Sequence, residues 1–76
     1  MKKSKRLDLI SMLVKQNRFY KKEDIADYID MHFGIRYSVT TIGRDLKELR
    51  IFKMPVAGHQ AYYKKLDNTH QMEAKT

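Results

Sequence analysis

The sequence predicts a small α+β domain in which three helices are followed by a C-terminal β-hairpin. Three successive segments repeat apolar residues at spacings of three and four, as expected of helices that bury one face. The segment after the third helix instead places β-branched and aromatic residues on either side of a glycine. That pattern is typical of two strands joined by a turn.

Composition restricts the possible classes of protein. The chain has 76 residues, enough for one small domain with an economical core, and its lack of cysteine excludes disulfides and thiolate zinc sites. The longest apolar run is too short to span a bilayer and there is no signal-peptide pattern, so we expect a cytoplasmic protein without membrane contact. The three histidines lack metal-ligand spacing, and no phosphate loop or nucleophile motif occurs. We therefore expect no metal site and no enzymatic activity.

The charge of the chain is large and unevenly distributed. The net charge is +7 overall, with +7 carried by residues 1–22 and −4 by residues 23–34. Such a division predicts a sided electrostatic field that attracts a polyanion to one face. Nucleic acid is favoured over a membrane surface, because no stretch combines a basic face with an apolar face rich in Trp or Phe.

The first two helices are predicted over residues 4–16 and about 22–32. Ser4 suits the N-cap of the first, and Gly34 suits the left-handed position that ends the second. Between them, residues 18–20 are predicted to form a very short strand that pairs with the hairpin. The carboxylates of helix 2 lie opposite its apolar stripe, so we interpret them as a solvated face turned away from DNA: Glu23, Asp27 and Asp30.

The third helix, in residues 38–50, organises the chain. Ser38 is its predicted N-cap, and its apolar stripe recurs at Ile42, Leu46 and Leu49. The other side combines small residues at the helix start with two cations further along: Thr40, Gly43, Arg44 and Lys47. A face of this kind fits a major groove, where its first turns reach base edges and its charges hold phosphates.

The hairpin directly after this helix predicts the wing of a winged helix-turn-helix. We place the tip at residues 56–59, with Gly58 in a backbone conformation that other residues avoid, and expect Pro55 to close the first strand. Alternation should bury one of Tyr62 and Tyr63. The pattern ends after Leu66, so residues 1–66 are predicted to form the domain and residues 67–76 a linker or disordered tail.

A longer motif now resembles a known family. It is Thr41-Ile42-Gly43-Arg44-Asp45-Leu46-Lys47-Glu48-Leu49, followed by Lys53-Met54-Pro55. This is similar to the N-terminal DNA-binding domain of the bacterial arginine repressors, whose pattern is Thr-Val-Ser-Arg-Asp-hydrophobic-Lys-Glu-Leu. The resemblance covers most of residues 5–66. It carries the family's DNA-facing arginine onto Arg44, whereas Gly43 replaces Ser and Val39 replaces a frequent Gln.

The resemblance implies a repressor of arginine metabolism genes that binds double-stranded DNA at AT-rich palindromic operators. L-arginine would bind a second domain that is absent here, so we expect this chain to need no cofactor and to be a monomer. Two roles fit the basic residues of the N-terminal arm, phosphate binding or keeping the chain soluble: Lys2, Lys3, Lys5 and Arg6. The residues expected to contact DNA are Lys5, Val39, Thr40, Thr41, Gly43, Arg44, Lys47, Gly58 and His59.

Two other functions remain open on sequence alone. A winged helix also serves in protein–protein contact, and fold alone does not decide between the two uses. Single-stranded nucleic acid could instead stack on Tyr62 and Tyr63, provided that both rings are exposed. The predicted core, common to all three functions, is Ile10, Val14, Ile25, Ile29, Ile42, Leu46 and Leu49.

Overall fold

The structure, a computed structural model, describes residues 1–66. Its elements are α1 (Lys3–Gln16), α2 (Lys22–Phe33), α3 (Val39–Glu48), β1 (Ile51–Val56) and β2 (His59–Lys65). The predicted order of three helices and a hairpin is therefore confirmed. The linker or tail predicted for residues 67–76 lies outside the described residues.

Helix α1 begins earlier than the sequence predicts. Lys2 is its N-cap, and the expectation that Ser4 caps the helix is wrong because Ser4 already lies in the first turn. The Lys2 carbonyl accepts the Arg6 N–H at 2.9 Å. Side chains of this turn contact α3, so tertiary contacts rather than a local cap determine where the helix starts. It ends at Asn17, whose N–H donates to the Leu13 carbonyl.

Local signals fixed the connection from α2 to α3 as predicted. Gly34 ends α2 in the left-handed conformation, with φ of 71°. Ser38 caps α3, its Oγ accepting the Thr41 N–H at 3.1 Å. The other end of α3 was not predicted: Arg50 takes a left-handed φ of 60° without being glycine. This residue turns the chain from α3 directly into β1.

The hairpin is antiparallel and shorter at its tip than expected. Val56 pairs with His59, so the turn comprises only Ala57 and Gly58, and Gly58 has the expected positive φ of 78°. Pro55 does not close β1, which runs on to Val56. The register shifts between Met54 and Val56 instead, where proline has no N–H to donate to a partner strand.

The short strand expected at residues 18–20 is not formed within residues 1–66. The contact behind that prediction does exist, since the Tyr63 N–H donates to the Phe19 carbonyl at 3.0 Å. One such hydrogen bond ties the α1–α2 connection to the outer edge of β2. The hairpin is thereby anchored to the helices by backbone as well as by side chains.

The core lies between the three helices and the inner face of the hairpin. Six of the seven predicted core residues are buried, while Leu49, at the end of α3, is only partly buried. Tyr63 is buried and Tyr62 is not, as alternation predicted. The prediction omitted five further buried hydrophobic residues: Leu13, Phe19, Ala26, Ile51 and Tyr63.

Candidate nucleic-acid interface

The exposed face of α3 gathers most of the predicted DNA-contacting residues. Five of them line one shallow depression together with Lys22, the first residue of α2: Val39, Thr40, Gly43, Arg44 and Lys47. Val39 is 39% exposed, and Arg44 and Lys47 are exposed as well. Small side chains lie at the start of the helix and cations lie beyond them. The depression therefore leaves room for a ligand and carries positive charge.

Lys22 is the residue of this face that sequence reasoning missed. Its side chain lies against Gly43, where an added Cβ would be 3.5 Å from the Lys22 Nζ. That separation is ordinary van der Waals contact, so nothing within residues 1–66 sterically requires glycine here. The available signal was the helix-turn-helix itself, because the start of its first helix lies beside the recognition helix.

The basic face continues from α3 to the hairpin. A second depression shares Lys22, Gly43 and Lys47 with the first and extends to Phe52 and Lys53 of β1. Among residues 1–66, no ion-pair partner is found for Lys22, Lys47 or Lys53. Arg44 has none there either. Their charges are therefore available to an external anion.

Arg44 forms no ion pair with its own helix, Val39–Glu48. The alternative partner on its own helix, Glu48, instead pairs with Lys3 at 3.0 Å. Arg44 lies between two depressions, since it also lines one with Thr41. Thr41 is half-buried, and its hydroxyl accepts from Ser38 Oγ at 3.0 Å, so part of its hydrogen-bonding capacity serves the cap.

The remaining predicted contacts lie away from the α3 face. Lys5 is exposed on α1, while Gly58 and His59 are exposed at the tip of the hairpin. The Nδ1 atom of His59 lies 3.5 Å from the Nη1 atom of Arg18. The structure therefore brings five of the nine predicted residues into one depression and leaves Lys5 and the wing tip apart from them.

A largely buried ion pair joins α1 to α3. Arg6 donates from Nε and Nη2 to the carboxylate of Asp45, the second bond being 3.0 Å long, and Asp45 is only 2% exposed. The Arg6 guanidinium also lies 5.2 Å from the centre of the Tyr37 ring. The hydrogen bonds to Asp45 raise the pKa of Arg6 above its ordinary value. Two of the five N–H donors of Arg6 therefore bond to Asp45, and phosphate binding by Arg6 stays a prediction.

The acidic residues of α2 differ in their neighbours. Arg36 pairs with Asp27 at 2.7 Å and lies 3.8 Å from Asp30, and all three side chains are exposed. This confirms the interpretation of these two carboxylates as a solvated face. Glu23 is exposed as well. The burial of Tyr63 raises the pKa of its hydroxyl, and the negative charge of Glu23 raises it further.

Three features would indicate an alternative function in the described part of the chain: a metal-ligating cluster, a membrane-spanning helix and a stacking platform. Residues 1–66 contain no cluster of metal-ligating side chains and no helix long and apolar enough to cross a membrane. The stacking platform for single-stranded nucleic acid needs two exposed tyrosines, and Tyr63 is buried. Tyr62 is covered in part by Arg18, whose guanidinium lies 5.1 Å from the ring centre.

A helix-turn-helix with a basic exposed second helix, followed by a hairpin wing, defines the class of winged-helix DNA-binding domains. The chain matches the family described as Arginine repressor, DNA binding domain, over residues 1–71. It is also 39% identical, over 70 residues, to the arginine repressor of Finegoldia magna (strain ATCC 29328 / DSM 20472 / WAL 2508). The chain belongs to the arginine repressor DNA-binding domain family. That match covers 92% of this chain and 46% of the relative, so the chain spans about half the length of the relative.

Proposed function

We propose that this chain binds operator DNA sequence-specifically, as the DNA-binding part of an arginine-responsive repressor of arginine metabolism genes. The observation that supports this most directly is the exposed face of α3. Arg44, Lys47 and Lys22 surround a depression floored by small residues, and none of these cations has an ion-pair partner within residues 1–66. Family membership agrees with this arrangement.

In the proposed complex α3 enters the major groove. Arg44 donates two parallel hydrogen bonds to guanine O6 and N7, which is worth about 1–3 kcal/mol of discrimination against another base. Val39 cannot donate to a base edge but can contact a thymine methyl group. Lys47, one turn along, binds phosphate together with Lys22, and so fixes the register rather than the sequence.

The wing extends the proposed interface beyond α3. Gly58 and His59 at its tip lie along the neighbouring minor groove or backbone, and Lys5 of α1 binds phosphate near the other end. These contacts add affinity more than sequence choice. A single chain then occupies one half-site, and an AT-rich palindromic operator requires a two-fold arrangement of chains.

The remaining features of the proposal concern the whole repressor. We assign the L-arginine response and oligomer formation to sequence that the relative has beyond its match to this chain. This chain by itself would be a monomer that needs no cofactor and has no catalytic role. The proposed ligand places it in the cytoplasm, where bacterial DNA lies.

The experiment that tests the proposal is a salt-dependent binding titration with an operator-like duplex and a scrambled duplex of equal length. The operator-like duplex should bind more tightly at every salt concentration, and both affinities should fall steeply as salt rises. Steep salt dependence with equal affinity for the two duplexes would contradict sequence-specific binding. Absence of binding at low salt would remove DNA binding altogether and favour protein contact.

The protein-contact alternative has one observation in its favour. Helix α2 exposes Met31 by 81% and Phe33 by 46% near its C-terminal end. Exposed apolar side chains of this size are common at protein interfaces. This surface and the α3 face use different residues, so protein contact there is compatible with DNA binding by α3.

A further inference from the structure

We propose that a groove between the end of α1 and β2 is a second phosphate-binding surface, which contacts the bound duplex beyond the wing. We call it the wing-edge groove, and its charged and aromatic lining consists of Lys15, Arg18, Tyr62, Lys64 and Lys65. The inference rests on the proposed DNA binding by α3. It adds a surface that shares no lining residue with the depressions of the α3 face.

The charge of the groove selects an anion. Four of its lining residues are cations, and no acidic residue of residues 1–66 lines it. The C-terminal end of α1 carries partial negative charge, which opposes anion binding there. Lys15 lies in that last turn, and the Asn17 side chain donates a second hydrogen bond to the Leu13 carbonyl at 3.3 Å, so this opposition is offset locally.

Two of the four cations of the groove, Arg18 and Lys65, make side-chain contacts before any ligand binds. The Arg18 guanidinium lies 5.1 Å from the centre of the Tyr62 ring, and Tyr62 is packed edge-on against Tyr20 at 6.2 Å. Lys65 Nζ donates to Ser11 Oγ at 3.2 Å. A guanidinium has five N–H donors, and phosphate can accept two of them in one bidentate contact. Restricting the side chains beforehand lowers the entropy cost of binding.

The position of Arg18 identifies the duplex that the groove serves. Its Nη1 atom lies 3.5 Å from Nδ1 of His59, a residue of the wing that we expect to contact DNA. The groove is thus continuous with the wing rather than isolated on the opposite side of the domain. We therefore assign it to flanking phosphates of the duplex that α3 reads, and not to a second duplex.

The test compares the salt dependence of binding on two duplexes. A short duplex contains only the operator-like half-site, and a long one adds about one helical turn of flanking sequence at the wing side. On the long duplex, Arg18→Ala should reduce the slope of log K against log salt by about one unit, and Arg18→Ala/Lys64→Ala by about two. On the short duplex both variants should keep the wild-type slope.

The matched control is Arg36→Ala, which removes the same exposed charge from the acidic side of the domain, where Arg36 pairs with Asp27. It should leave the slope unchanged on both duplexes. Arg18 and Lys64 are exposed, so the variants should melt like the wild type. If Arg18→Ala and its double variant behave like Arg36→Ala, the wing-edge groove does not bind phosphate.

The outcomes separate this inference from the proposed function. In one outcome the wild-type chain prefers the operator-like duplex and the groove variants behave like the control. That result would refute phosphate binding by the wing-edge groove and leave the proposed α3 interface intact. A wild-type chain that binds two duplexes, reduced to one in the variants, would overturn the assignment to flanking phosphates in favour of a second duplex. A wild-type chain that binds no duplex would overturn both proposals.

Discussion

The Arg6–Asp45 ion pair gives the sharpest prediction about stability. Asp45 is 2% exposed, and the side chain of Arg6 is 16% exposed. Replacing Asp45 with Ala leaves the guanidinium partly buried without its acceptor. Removing one partner of a buried pair costs about 3–5 kcal/mol. Because Arg6 retains some access to water, we expect the lower end, about 3 kcal/mol.

A loss of that size is large for this domain. Small domains have total stabilities of about 5 kcal/mol or somewhat more, so Asp45→Ala should remove a large part of the folding free energy. At about 4–8 °C per kcal/mol, the melting temperature should fall by about 12–24 °C. Thermal melts followed by circular dichroism, supported by urea titrations, measure both quantities.

The chain supplies its own control for this experiment. Glu48 lies on the same helix and also pairs with α1, through Lys3, but both of those side chains are more than half exposed. Glu48→Ala should therefore cost less than about 1 kcal/mol. The double variant Arg6→Met/Asp45→Leu should recover much of the loss, because it leaves no buried charge. If Asp45→Ala melts like Glu48→Ala, the Arg6–Asp45 pair contributes no more stability than the exposed Lys3–Glu48 pair, and the reasoning is refuted.

Four further predictions concern the core, α3 and the wing. Leu46→Ala should cost about 2–5 kcal/mol in urea unfolding, and an unchanged transition would mean that the faces of α3 are wrongly assigned. Gly43→Ala should raise stability by about 0.5–1 kcal/mol, since the added Cβ meets only ordinary contacts; a loss would show that the site is sterically closed. Arg44→Ala should reduce operator affinity far more than random-DNA affinity, whereas Lys47→Ala should lower both alike and reduce the salt slope by about one unit; identical behaviour would withdraw base reading from Arg44. His59→Ala at the wing tip should weaken binding to operator and random DNA by similar factors, and a selective loss for operator would make the wing a reader of sequence.

The sequence determined those features that depend on short-range geometry. The faces of α3 follow from residue spacing, and the cap at Ser38 and the left-handed glycines 34 and 58 follow from the properties of single residues. The motif around Arg44 also indicated the family whose model matches residues 1–71. Each of these signals is contained within about ten residues, so a pattern in the chain can carry it.

Tertiary structure decided the features that join distant parts of the chain. Asp45 is a polar residue of α3 that is nevertheless buried, and its hydrogen-bond partner is Arg6, 39 positions away. Lys22 joins the α3 face, and Arg18 meets His59, because separate elements pack side by side. Neither the start of α1 at Lys3 nor the left-handed φ of Arg50 was predicted from the local sequence. Spacing along one helix determines which side chains share a face, whereas only the packing of elements determines what that face meets.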